Sequence, residues 1–168
     1  MPKDVKALVA QGEAAGQPMP LLDTVININL KQPQRVIEIL ERNFPSLEGV
    51  NVSVLGLAFK PDTDDMRESP AIAIVNELLS RSAKVSAYDP VAIESAKKVL
   101  PAAEIRFVDS LEAALRDADA AVLVTSWDMF RNIPAILERL GVSPLFVDGR
   151  RFLDKRQVSR YAGIGVGS

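Results

Sequence analysis

The chain has neither cysteine nor histidine among its 168 residues. Without cysteine, it can build no disulfide, no thiolate nucleophile and no cysteine-based zinc site. Without histidine, Ser-His-Asp chemistry and the usual imidazole acid or base are excluded. Catalysis by this chain alone would have to rest on Asp, Glu, Lys, Ser or Tyr. Lysine and arginine form no run and the formal net charge is −2, so no nucleic-acid partner is expected. No stretch approaches the roughly eighteen consecutive apolar residues that a membrane helix needs. The N-terminus opens on Lys3, Asp4 and Lys6, not on the apolar stretch of a signal peptide. No membrane partner and no metal site are expected, and the cytoplasm is the expected location. What remains is ordinary for a globular protein: 48% hydrophobic and 25% charged residues, enough for a core without covalent staples.

Two parts separate near Phe44–Gly49. The first opens with a short charged segment, Met1–Leu8, and a loop carrying Gly12, Gly16, Pro18 and Pro20. A helical pattern follows over Leu21–Asn43, with apolar residues at Leu22, Val25, Ile26, Leu30, Val36, Ile37 and Leu40. Pro33 lies inside it and is expected to kink or divide the helix, because proline lacks the amide donor. A helix this long, with little in its own segment to pack on, calls for a partner.

The second part alternates strand and helix. Strands are expected at Val52–Leu57, Lys84–Tyr88, Ile105–Val108, Ala120–Thr125 and Leu145–Val147, with a last extended piece at Ala162–Ile164. Helices are expected at Ala71–Ser80, behind Ser69 as N-cap and Pro70 at the first helical position, and at Val91–Leu100. Others are expected from Asp109/Ser110 to about Asp117, at Ile133–Leu140, and briefly near Asp154–Ser159. Strands separated by helices imply βαβ units, and the fold class is α/β: a Rossmann-like, doubly wound parallel sheet preceded by a long connecting helix. Ligands of such sheets lie outside the carboxyl ends of the strands, which puts Ala58–Arg67, Asp89-Pro90, Thr125–Asp128 and Asp148–Arg151 on one rim.

A dinucleotide fingerprint would read G-x-G-x-x-G at the first of these loops, with an acid about twenty residues later. Here Gly56 is followed by Ala58 and Pro61, and Asp89 lies too far along, so the pyrophosphate turn is missing. The loop is long instead, and places Lys60 and Arg67 among four acids ahead of a helix N-terminus, which suits a phosphate ligand. The competing reading is a solvated charged loop.

The run GLAFKPDTDDMRESPA from Gly56 resembles the loop that opens the C-terminal domain of UDP-glucose 6-dehydrogenases, of the nucleotide-sugar dehydrogenase family. The resemblance continues through Ser86-Ala87-Tyr88-Asp89-Pro90, Val124-Thr125-Ser126-Trp127 and Phe146-Val147-Asp148-Gly149-Arg150. Backward, Asn29-Leu30-Lys31-Gln32 resembles the family's central helix, and Pro2-Lys3-Asp4 the tail of its active-site motif. The resemblance implies that the nucleophilic cysteine would precede Met1, with the NAD-binding domain upstream of it. The expectation is therefore a C-terminal, nucleotide-sugar-binding portion that does not catalyse alone. Residues 1–47 would be active-site remnant plus connecting and dimerisation helix, and residues 48–168 the nucleotide-sugar domain.

The family oxidises the C6 alcohol of UDP-glucose to a carboxylate through two hydride transfers to NAD, with a thiolate holding the intermediate. By resemblance, Asp4 positions or deprotonates the hydrolytic water. Phe59, Lys60 and Arg150 contact the nucleotide sugar, and Arg67 crosses the cleft toward NAD. Without its ligand Arg67 is expected to pair with Asp64, Asp65 or Glu68. Trp127 reads first as a packing residue near the rim, and Asp89 as a structural residue at a turn with Pro90. The partners implied are UDP-glucose or UDP, and a second copy through the Leu21–Asn43 helix, whose apolar stripe would otherwise stay exposed. Two alternatives stand beside this reading: the same portion of a GDP-mannose 6-dehydrogenase, and a stand-alone binding or assembly module.

Overall fold

Short runs rich in valine, alanine and leucine become the strands of one sheet. The computed structural model describes residues 2–165. Its strands are β1 (Asn51–Leu55), β2 (Lys84–Tyr88), β3 (Ile105–Phe107), β4 (Ala120–Leu123), β5 (Leu145–Asp148) and β6 (Tyr161–Gly163). They lie in the order β3-β2-β1-β4-β5-β6 and every neighbouring pair is parallel. This is the order of doubly wound nucleotide-binding sheets, as the alternation of strand and helix implies. The direction of winding reverses between β1 and β4.

The helices are α1 (Pro2–Ala14), α2 (Pro20–Asn43), α3 (Pro70–Ser80), α4 (Ile93–Ala96), α5 (Leu111–Leu115) and α6 (Ile133–Leu140). Successive strand residues point to opposite faces, and both faces are covered. Val52, Val54, Val85, Ala87 and Val122 pack with Val36, Ile37 and Leu40 of α2 and Ile74, Val75 and Leu78 of α3. Leu55, Tyr88, Leu123 and Phe146 pack with Leu111 and Leu115 of α5 and Ile133, Ile136 and Leu137 of α6. Strands β1, β4 and β5 therefore read as near-continuous apolar runs.

Local signals set the helix ends. Ser69 caps α3, its Oγ accepting from the Ala71 amide at 3.2 Å, and Pro70 follows at the first helical position. Ser110, rather than Asp109, caps α5 by accepting from the Ala113 amide at 3.3 Å. Gly141 ends α6 at φ 66°, the left-handed conformation that glycine adopts without a Cβ penalty.

Four expectations are corrected. The N-terminal charged segment and glycine loop form α1, which runs through Gly12 to Ala14. Gly12 is kept there by space: a Cβ would stand 2.7 Å from the Gln17 carbonyl oxygen, where the chain doubles back toward α2. Packing of Val9, buried where α1 meets α2, stabilises a helix that this glycine disfavours. Pro33 does not divide α2, which is continuous from Pro20 to Asn43. The carbonyl it leaves without a donor belongs to Asn29, an exposed residue, so solvent is available to replace the missing amide. The helix expected over Val91–Leu100 narrows to Ile93–Ala96 followed by turns, and the one expected to reach Asp117 ends at Leu115.

Candidate nucleotide-binding rim

The loops that follow β1, β2, β4 and β5 emerge along one edge of the sheet, and two buried carboxylates hold them. Asp89, at the end of β2, is 1% exposed. Its Oδ2 accepts from the Leu57 amide at 2.7 Å, the Ala58 amide at 3.1 Å and Trp127 Nε1 at 3.1 Å. Its Oδ1 accepts from the amides of Val91 at 3.0 Å and Ala92 at 2.8 Å. Asp148, the last residue of β5, is fully buried. Its Oδ1 accepts from the Arg150 amide at 2.9 Å, and its Oδ2 from Phe152 and Leu153 amides at 2.9 Å and from the Tyr161 hydroxyl at 3.2 Å. Burial, and then the neighbouring Asp148 charge and its hydrogen bond, push the Tyr161 phenol up to about 12.

Further bonds stitch the loops to one another. Thr125 Oγ1 donates to the Ala58 carbonyl at 2.5 Å, and Ser69 Oγ to the Leu57 carbonyl at 2.6 Å. Gly56 has φ +84°, and a Cβ there would lie 2.5 Å from the Thr125 carbonyl oxygen. The turns after β1 and β4 therefore touch backbone to backbone, and only glycine permits it.

On this frame the candidate residues take their places. Phe59 is half-buried and its amide donates to the Asp65 carbonyl at 3.0 Å, closing the loop on itself. Lys60 is exposed, its Nζ 5.4 Å from the centre of the Phe59 ring. Arg150 is exposed along much of its length, but its Nε turns inward and donates to the Val124 carbonyl at 2.6 Å. That partial desolvation lowers its guanidinium pKa from the ordinary value. Lys60 and Arg150 form no ion pair among the described residues.

Arg67 is different. Its Nε and Nη2 grip Asp65 at 2.9 and 2.7 Å, and its amide donates to the same carboxylate at 2.9 Å. The hydrogen bond and then the charge of Asp65 raise the Arg67 pKa. Of the three acids considered for this arginine, Asp65 holds it. Asp64 instead accepts from Ser95 Oγ at 2.8 Å, and Glu68 pairs with Lys6 of α1 at 2.9 Å. Asp4 lies exposed in the first turn of α1, the helix that this last pair ties to the loop after β1. The rim thus gathers Phe59, Lys60, Arg67 and Arg150 on connected loops, with Asp4 on a neighbouring helix.

Trp127 is a packing residue, 8% exposed, with its indole N–H satisfied by Asp89. Asp89 is structural, but its reach exceeds a turn with Pro90: it holds segments from three loops. Sequence reasoning passed over Asp148, Thr125 and Tyr161 as structural partners. The available signal was an acid closing an apolar strand, which both Asp89 and Asp148 do.

The family model for the UDP-glucose/GDP-mannose dehydrogenase family, UDP binding domain, matches residues 53–155. The UDP-glucose 6-dehydrogenase of Haloferax volcanii is 40% identical over 167 residues, 97% of this chain and 37% of that protein. The solved structure of a UDP-glucose dehydrogenase from Pyrobaculum islandicum is similar at 32% identity with a TM-score of 0.86, covering 99% of this chain and 37% of that one. A GDP-mannose dehydrogenase structure from Pseudomonas aeruginosa, at 22% identity and a TM-score of 0.78, covers 98% of this chain and 38% of its own, and shares the fold. The chain spans little more than a third of the length of these relatives.

Proposed function

The chain belongs to the UDP-glucose/GDP-mannose dehydrogenase family, and from that premise we propose that it binds the nucleotide of a UDP-sugar for a UDP-glucose 6-dehydrogenase. The supporting observation is the pair of cations, Lys60 and Arg150, on loops whose backbones are already fixed and with no carboxylate paired to either among the described residues. A diphosphate supplies the missing anion. Phe59, beneath Lys60, offers the apolar wall of the same loop. Residues 48–168 form the nucleotide-sugar unit, and residues 1–47 the connecting unit.

The whole reaction proposed is oxidation of the C6 alcohol of UDP-glucose to a carboxylate, for which NAD supplies the hydride acceptor. Arg67 fits an anionic cofactor group, because its guanidinium is exposed and already engages a carboxylate bidentately; a phosphate can take the place of Asp65. Asp4 is assigned to the hydrolytic water. With no cysteine, this chain supplies no thiolate, and its own part is to bind and orient.

Calorimetry tests the binding. The chain takes up UDP in preference to GDP, and Arg150→Ala weakens UDP tenfold or more, about 1.4 kcal/mol. Loss of the Arg150 Nε bond to the Val124 carbonyl lowers stability by about 1–2 kcal/mol, read separately from urea unfolding. A preference for GDP, or UDP affinity indifferent to Arg150, rejects the assignment. We also assign the bare face of α2 to a second copy of the chain: Leu21, Val25 and Ile28 share one side of the helix and are 75%, 41% and 53% exposed.

A further inference from the structure

A sheet of this order offers its ligand a crevice outside the strand ends where the winding reverses, here between β1 and β4. In dinucleotide-binding sheets the amides of the turn after the first strand face the pyrophosphate there. In this chain those amides are already taken. Leu57 and Ala58 donate to Asp89 Oδ2 at 2.7 and 3.1 Å, and Trp127 Nε1 donates to the same oxygen at 3.1 Å. Asp89 follows β2 and Trp127 follows β4, and β1 lies between these strands. Their contact therefore spans the end of β1. Both side chains are buried, at 1% and 8% exposure, and the Gly56–Thr125 approach closes the backbone below them.

We propose that Asp89, covered by Trp127, is a built-in anion that occupies the amides a dinucleotide's pyrophosphate would need. The two residues determine specificity by exclusion: they bar this sheet from a dinucleotide and leave its outer rim to a nucleoside diphosphate. The second half of that statement rests on the function proposed above; the first half stands alone. The carboxylate suits the task because its two oxygens meet five N–H donors, with no acceptor opposed to them. An asparagine would turn its NH2 toward either the Oδ1 or the Oδ2 set of donors.

The test uses the chain as it stands and two variants. Asp89→Ala unfolds at a lower temperature than wild type, and sodium formate, but not matched sodium chloride, raises its Tm and moves the Leu57 and Ala58 amide resonances. Wild type and Asp89→Asn do not respond. Removal of the cover as well, in Asp89→Ala/Trp127→Ala, lets inorganic pyrophosphate shift the same two amides, which in wild type ignore it. A carboxylate that only braces the turn would accept formate and still leave the site closed to pyrophosphate. The proposal is overturned if folded Asp89→Ala ignores formate, if Asp89→Asn responds as the alanine does, or if the folded double variant ignores pyrophosphate. Should the double variant not fold, Asp89→Ala/Trp127→Leu, which keeps an apolar side chain under a smaller cover, takes its place and is read by the same pyrophosphate criterion. An Asp89→Ala chain unfolded in formate and chloride alike also overturns the proposal. A UDP titration of wild type reports separately on the nucleotide reading: its failure removes that reading and leaves the formate and pyrophosphate results standing.

Discussion

At the strand-end rim, polar groups are gathered inward; along the first half of α2, apolar groups stand in solvent. Asp89 and Asp148 together take nine hydrogen bonds from amides, an indole and a phenol, and neither side chain reaches the surface. Leu21 and Ile28 are 75% and 53% exposed, while Val36, Ile37 and Leu40 of the same helix are buried under the sheet. The difference separates two sources of order. The rim loops are fixed by satisfied buried hydrogen bonds, each of which is costly to leave unmade. The first half of α2 leaves Leu21, Val25 and Ile28 exposed and depends on what covers them.

The largest effect is expected where the rim is cut loose. Asp148→Ala leaves three amides and the Tyr161 hydroxyl without their acceptor. Unsatisfied buried donors cost about 1–3 kcal/mol each, partly relieved by water entry, so urea unfolding should show a loss of about 3 kcal/mol or more. UDP binding should fall with it, because the Arg150 amide is one of the freed groups. A loss under about 1 kcal/mol would mean that the rim loops hold themselves, and the contrast with α2 would fail.

Legibility divides along the same line. The parallel sheet could be read because alternating apolar strands and capped helices are local patterns, and Ser69-Pro70 and Ser110 mark two of the helix starts. The rim loops could be placed as well, since strand ends and topology dictate them. The contacts that fix those loops could not: Leu57 and Asp89 lie 32 positions apart, and Asp89 and Trp127 lie 38 apart. No spacing rule connects them. Helix α1 was obscured by Gly12, whose reason is a close approach to Gln17 and not a turn. Pro33 does not divide α2: the carbonyl it leaves without a donor is that of exposed Asn29, a matter of burial that the pattern alone does not carry.

A middling effect should appear with pH. Tyrosine titrates near 10 in the unfolded chain, and burial beside Asp148 pushes Tyr161 up to about 12 in the fold. The folded state thus holds this proton more tightly than the unfolded one. The contribution is fully present below pH 10 and is lost as pH rises from about 10 toward about 12. Tyr161→Phe has no proton to lose. Urea midpoints of wild type and variant, compared at steps across that window, should show wild type losing the additional stability. Parallel curves would separate Tyr161 from the Asp148 cluster and weaken the account of the rim as a closed polar network.

The smallest effect on the fold belongs to the bare face of α2. Leu21 and Ile28 are largely in water in the single chain, so Leu21→Ser/Ile28→Ser removes little buried area from it. At concentrations low enough to keep copies apart, each change should alter unfolding stability by no more than about 0.5 kcal/mol. At high concentration the outcome should differ. If a second copy covers this face, wild type sediments as a dimer and its Tm rises with concentration, because association adds to apparent stability by mass action. The double variant should sediment as a monomer with a concentration-independent Tm. A monomeric wild type at high concentration would reject a second copy as the occupant. A stability loss of several kcal/mol in the dilute variant would go further, showing that these side chains already pack within one chain and that α2 is ordered by burial along its whole length.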